Sequence, residues 1–279
     1  MKQRLISSAI GLCVLFVILS LFHTIIVNLA VAAIACMGVY ELLTATGCIQ
    51  HKGISAVVLL FAAAFPIFPA QQMVQVMFPL SYLCVVILFC ILLRCHDRLH
   101  IEQIAVSFTC GLLVPFSLTT LVYQRDLWGS RLGIFYVLVS LGSAWLSDTG
   151  AYFAGRAFGK RKLAPYISPK KTVEGAVGGA IFAAVAMLLV AWLYAAVCSW
   201  MGYPIRVHYL LLLGFMPLFT GVSIIGDLSA SIIKRQFGVK DYGSIMPGHG
   251  GIMDRFDSAL MVAPLVYFIS RWIPLAQLA

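Results

Sequence analysis

Charge is what this sequence has least of. Of its 279 residues 10% are Asp, Glu, Lys or Arg, while 62% are hydrophobic and the mean hydropathy is +0.99. Soluble globular domains carry about 25% charged residues, so this scarcity excludes that class and points to a polytopic membrane protein. The eight cysteines include no CxxC pair and lie mostly in or beside apolar runs, which favours reduced, packing thiols over a disulfide framework or a redox dithiol. No internal repeat, low-complexity tract or long linker interrupts the chain, so residues 1–279 read as a single integral domain. No basic face interleaves with exposed aromatics, and nucleic acid is therefore not an expected partner.

What is present is a series of apolar runs, each near the roughly 20 residues that cross a bilayer. Polar punctuation divides them into about nine: 5–22, 24–46, 54–70, 73–93, 103–122, 132–154, 172–199, 208–230 and 257–273. The expected fold class is all-α. The first run has a basic start, but no convincing small-residue cleavage site precedes a soluble domain, so it reads as a span rather than a signal peptide. With the N-terminus placed in the cytoplasm, only Arg125, Arg131, Arg206 and Arg271 of the 19 Lys and Arg residues fall outside. That asymmetry is what the positive-inside rule expects of nine spans with the C-terminus outside. The formal net charge of +9 then reads as topology, with anionic lipid headgroups as natural neighbours.

Acidic residues divide the chain. Glu41, Asp97, Glu102 and Asp126 are the only four in residues 1–131, a half that reads as scaffold. The other six, Asp148, Glu174, Asp227, Asp241, Asp254 and Asp257, lie within or next to two basic loops, 155–171 and 231–256, so residues 132–279 read as the half that carries a site. On a helix, Ser223, Asp227, Ser231, Lys234 and Arg235 form one polar stripe. A carboxylate near membrane depth faces a partner, a cavity or an ion, so Asp227 is either salt-bridged to a basic residue of another helix or part of a metal or proton site. In "PGHGGIMDRFD" three glycines surround His249, and Asp254 and Asp257 share a helix face. Two carboxylates near basic residues suit a divalent cation whose remaining ligands are phosphate oxygens. Zinc is disfavoured because His249 has no Cys or HxxxH partner at ligand spacing. In "GRAFGKRKLAPYISPKKTVEG", Ser168 and Pro169 read as an N-cap and first helical position, placing Lys170 and Lys171 beside a helix N-terminus that suits phosphate. The competing reading is that these charges only set orientation. Asp148, Asp227 and Asp254 come from three spans yet map to one face, which suggests metal-assisted phosphoryl or nucleotidyl transfer onto a membrane substrate.

Two blocks carry a specific resemblance. "SxxKRxxxxKDxGxxxPxHGGxxDRxD", here Ser231 to Asp257, resembles the signature of the phosphatidate cytidylyltransferases, or CDP-diacylglycerol synthases, of bacterial type. "SDTGAYFAGRAFGKRKLAPYISPKKTVEG", residues 147–175, is similar to that family's other well-marked block. Met246 stands where the family usually has Leu, Ile or Phe. The resemblance implies transfer of CMP from CTP to phosphatidic acid at the cytoplasmic side of an inner membrane, in phospholipid biosynthesis. It implies Mg²⁺ at Asp227 and Asp254, with room for a second, monovalent ion such as K⁺, and it allows a homodimer. Ser231 is then a further ligand or phosphate contact, and Lys171, with Lys170 as the alternative, grips a phosphate. Asp148, Lys234, Arg235, Lys240, Asp241, His249, Arg255 and Asp257 are the remaining candidates for nucleotide, metal or loop-ordering roles. The rivals are a CTP-dependent lipid-alcohol or polyprenol kinase, which would leave CDP, and a transporter, whose polar residues should continue across the membrane.

Overall fold

In a bilayer every backbone N–H and C=O must be satisfied within the protein, so long apolar runs fold as helices. The computed structural model describes residues 2–245 and 250–279 and is predominantly helical. Among the described residues, five helices are long and apolar enough to cross a membrane, within Ile26–Ala45, Ala70–Arg94, Ile101–Phe158, Val173–Trp200 and Tyr209–Gln236. Shorter apolar helices cover Ala9–Ser20, Lys52–Ile67 and Ala259–Trp272. The protein is an integral membrane protein.

The chain forms two compact units. One runs to Asp126 and also takes in Gln236–Phe256; the other comprises Leu127–Arg235 and Asp257–Ala279. The first holds α1 (Lys2–Ser20), α2 (Ile26–Ala45), α3 (Lys52–Ala64), α4 (Phe78–Arg94) and the first arm of α5 (Ile101–Phe158). α5 has 58 residues, about 87 Å at 1.5 Å per residue, but it is broken at Gly129, whose φ of 73° and ψ of 172° are not helical. Only glycine adopts that conformation without strain.

In this first unit α2 packs against α3, and small side chains govern the approach to α5. Gly38 of α2 lies under Val114, and a Cβ on Gly111 would fall on Val58 of α3. Buried Asn28 donates to Pro66 O at 2.6 Å and accepts from Arg125 at 2.9 Å; Arg125 also donates to Thr24 O and pairs with Asp126 at 3.1 Å. Arg125, which the charge count places outside the spans, thus ties the first arm of α5 to the start of α2.

The second unit holds the other arm of α5, β1 (Lys162–Ala164), β2 (Ser168–Thr172), α6 (Val173–Trp200), β3 (Ile205–Val207) and α7 (Tyr209–Gln236, whose last residue belongs to the first unit). The short α8 (Met253–Phe256) belongs to the first unit, and α9 (Ala259–Trp272) and β4 (Ala276–Leu278) complete the second. α5 and α6 cross on small residues. A Cβ on Gly179 would lie 2.7 Å from Ser147 O, one on Gly175 would lie 2.9 Å from Ala151 O, and one on Gly150 would lie 2.6 Å from Phe182 Cβ. Such stripes let membrane helices approach to backbone contact, where dispersion replaces the hydrophobic effect as the packing force.

Two antiparallel strand pairs depart from the purely helical expectation. β1 pairs antiparallel with β2, and β3 with β4. Tyr136 of α5 secures the second by accepting from the backbone N–H groups of Leu275 and Ala276 at 3.0 and 3.2 Å. The first corrects the N-cap reading at Ser168 and Pro169, which lie in β2. The cap is Thr172, whose hydroxyl accepts from Gly175 N at 3.1 Å, and α6 begins at Val173. Ser168 and Pro169 carry suitable cap chemistry, but cross-strand pairing with β1 claims that segment.

Candidate active site

Helical spacing puts Ser223, Asp227 and Ser231 on one face of α7. Ser223 is buried, with its hydroxyl 3.1 Å from that of Ser147 on α5. Ser231 donates to Asp227 Oδ1 at 3.4 Å, and the other carboxylate oxygen is ion-paired with Lys171 Nζ. The Asp227 and Lys171 side chains are each about a quarter exposed, 23% and 24%. The two adjacent lysines of β2 differ: Lys170 is exposed, whereas Lys171 is half-buried against Asp227. Asp227 is thus ion-paired, but with a strand residue and not with the helix residue that the salt-bridge reading expects.

Asp148, on α5, accepts from Ser258 Oγ at 3.1 Å. Ser258 N donates to Asp257 Oδ1 at 2.7 Å, fixing the carboxylate of its neighbour. Gly226 permits this arrangement, since a Cβ there would lie 2.7 Å from Asp257 O. The glycine before Asp227 thus lets the 257–258 turn close onto α7. Asp257 lies in that turn, outside the apolar helices, and its carboxyl is pushed up to about 7. Burial is the largest cause; the charges of Asp227 and Asp148 add to it, while the Ser258 N–H and Lys234 oppose it. Asp148, Asp227, Asp257, Lys171 and Lys234 thus form one electrostatic group on the second unit. Arg235 is exposed at the end of α7.

On the first unit, Asp254 Oδ2 accepts from the backbone N–H groups of Tyr242 at 2.9 Å and Gly251 at 3.0 Å. Gly250 sits at φ 81°, a conformation that favours glycine, and turns the chain back toward Asp254. Lys240, Asp241 and Arg255 are exposed. His249 and Met246 lie outside the described residues.

Glu41 is the residue that motif reasoning misses. It is 2% exposed on α2, and its carboxylate accepts from Ile252 N at 3.0 Å and Met253 N at 2.8 Å, at the start of α8. The signal for it is an acid in the middle of "VYELLTA", costly at membrane depth unless it has donors.

Among the described residues no group of three or more His, Cys, Asp or Glu side chains is arranged to hold a metal ion. The donor chemistry nevertheless suits a hard cation. Asp227 and Ser231 present oxygen only, the donor type that a hard cation takes.

The model of the cytidylyltransferase family matches residues 2–273. The chain belongs to that family. This cytidylyltransferase is 30% identical to the phosphatidate cytidylyltransferase of Bacillus subtilis over 276 residues, 96% of this chain and 97% of that one. Its likeness to the phosphatidate cytidylyltransferases of Staphylococcus saprophyticus and Staphylococcus aureus is 46% and 44% over 134 residues, 48% of each chain.

Proposed function

We propose that this cytidylyltransferase transfers CMP from CTP to phosphatidate, forming CDP-diacylglycerol and pyrophosphate. The observation that carries the reading is the likeness over 96% of the chain to the Bacillus subtilis phosphatidate cytidylyltransferase. In the reaction an ionised phosphate oxygen of phosphatidate attacks the α-phosphorus of CTP. The bond from that phosphorus to the bridging oxygen breaks, and pyrophosphate leaves with the electron pair. The nucleophile is already anionic at neutral pH, so no general base is needed, and the protein's task is to offset repulsion between two anions.

Mg²⁺ would supply Lewis-acid neutralisation of the phosphate oxygens when bound. Asp227, supported by Ser231, and Asp254 are the proposed ligands; a monovalent ion such as K⁺ fits the same oxygen chemistry. Lys171, already directed at Asp227, offers an ammonium to an incoming phosphate. Lys234 faces the same acids, and Asp148 with Ser258 fixes the turn that carries Asp257. Lys170, Arg235, Lys240 and Arg255 are exposed and suit the more distant phosphates or the headgroup.

We further propose nine crossings, with the N-terminus cytoplasmic, the C-terminus outside, the site facing the cytosol of an inner membrane, and a homodimer as the assembly. The break at Gly129 supports the count by dividing α5 into two arms, each of suitable length for a crossing. The test of the reaction is purified protein in mixed micelles with phosphatidate, Mg²⁺ and CTP labelled at the α-phosphate. Label in the lipid phase that requires both phosphatidate and Mg²⁺ supports the proposal. Label appearing in lipid only from γ-labelled CTP would replace it with a kinase.

A further inference from the structure

Glu41 does more than tolerate its position, and its surroundings are shaped for it. A Cβ on Gly243 would lie 2.7 Å from Glu41 Cδ, and one on Gly251 would lie 2.6 Å from the same atom. Neither glycine has a positive φ, so neither is required by its backbone conformation. What they share is proximity to one carboxylate. The two oxygens of that carboxylate are divided between two adjacent amides, Oε1 to Ile252 and Oε2 to Met253, at the start of a four-residue helix. The first amides of such a turn have no partner within the helix. The following residue is Asp254, whose own Oδ2 draws in Tyr242 N and Gly251 N. The 250–254 turn is thereby fastened to the transmembrane helix α2.

We infer that Glu41 is a positioning residue for turnover, acting through the 250–254 turn to fix the direction of the Asp254 carboxylate. This rests on the reading of Asp254 as a Mg²⁺ ligand. Glu41 touches neither substrate in this scheme. Its contribution is to remove the freedom of the segment that carries the ligand, the kind of positioning whose loss costs about 100-fold in rate for a displacement near 1 Å.

The experiment compares Glu41→Ala, Glu41→Gln, Gly243→Ala and Asp254→Asn as full-length protein in mixed micelles. The readouts are kcat, the Mg²⁺ concentration giving half-maximal rate, and amide hydrogen exchange at Ile252 and Met253. Glu41→Ala is expected to lower kcat about 100-fold, to raise the Mg²⁺ requirement, and to speed exchange at those two amides about tenfold, as befits loss of a hydrogen bond to a charged group. Glu41→Gln, which keeps one acceptor oxygen, should recover part of each effect. Gly243→Ala, which crowds the carboxylate without removing it, should move the readouts in the same direction and serves if Glu41→Ala does not accumulate. Faster exchange with wild-type kcat and Mg²⁺ requirement would overturn the inference, leaving Glu41 a tether of no catalytic consequence. Unchanged exchange would overturn it as well. The reading of Asp254 fails separately, if Asp254→Asn turns over at the wild-type rate.

Discussion

Replacing Asp227 by Asn removes one charge and very little volume, and each neighbour responds in its own way. Lys171 loses its ion-pair partner while remaining three-quarters buried. Breaking a buried pair costs about 4 kcal/mol and an exposed pair about 0.5 kcal/mol, so a pair with a quarter of each side chain exposed should cost about 2 kcal/mol. Asp257 loses the charge that stands second among the causes of its raised proton affinity, so its carboxyl should move back toward its ordinary range. Turnover should fall further than stability. Losing one preorganised group that meets developing charge costs about 100-fold to 1000-fold, and loss of a metal ligand belongs at the upper end. The assay is lipid-phase label from α-labelled CTP, run beside chemical denaturation in the same micelles. Adding Lys171→Met to Asp227→Asn should cost no more stability than Asp227→Asn alone, because the stranded ammonium has gone. An Asp227→Asn protein that turns over like wild type would refute the ligand reading of that residue.

Asp257 makes stability pH-dependent in a definite direction. Its folded carboxyl titrates near 7 against an ordinary 3.8, so between those values the folded protein holds a proton that the unfolded chain has released. Stability should therefore fall as pH rises from about 4 to about 7, by at most about 4 kcal/mol at about 1.36 kcal/mol per unit, and Asp257→Asn should flatten that slope in denaturation curves. Thr172→Val, which keeps the shape but loses the cap to Gly175, should cost about 1 kcal/mol, read as an earlier denaturation midpoint with the spectrum of the folded protein unchanged. Gly179→Leu should separate α5 from α6 and cost about 3 kcal/mol or more, seen as loss of monodisperse protein on size exclusion. An unperturbed Gly179→Leu protein would show that the close α5–α6 crossing does not matter.

Apolar runs are legible in the sequence because a single physical demand, internal satisfaction of the backbone in lipid, dictates their form. The α7 stripe is legible for a similar reason: a 3.6-residue period puts Ser223, Asp227 and Ser231 together whatever surrounds them, and the structure gives each a polar contact on that face. What sets Lys171 apart from Lys170 in the fold is its ion pair with Asp227, a contact between segments far apart in the chain. The β1–β2 hairpin itself is hidden: "KLAPYISPKKT" has cap-like and basic residues that also suit a helix start, and its pairing is settled by a partner segment. Glu41 is hidden by distance, since its donors are backbone amides that carry no side-chain signature and lie 211 and 212 residues away.

That separation is also a delay in time. The first unit is discontinuous, and everything from Leu127 to Arg235 must be synthesised before the segment that completes it. At about 5 to 20 residues per second, Glu41 enters the membrane on the order of 10 to 40 s before the amides of Ile252 and Met253 exist. During that interval an acid side chain waits in an apolar helix for donors still to be translated. A chain truncated before residue 250 should keep it waiting indefinitely and be cleared by membrane quality control, whereas truncation after Phe256 should preserve the first unit's closure.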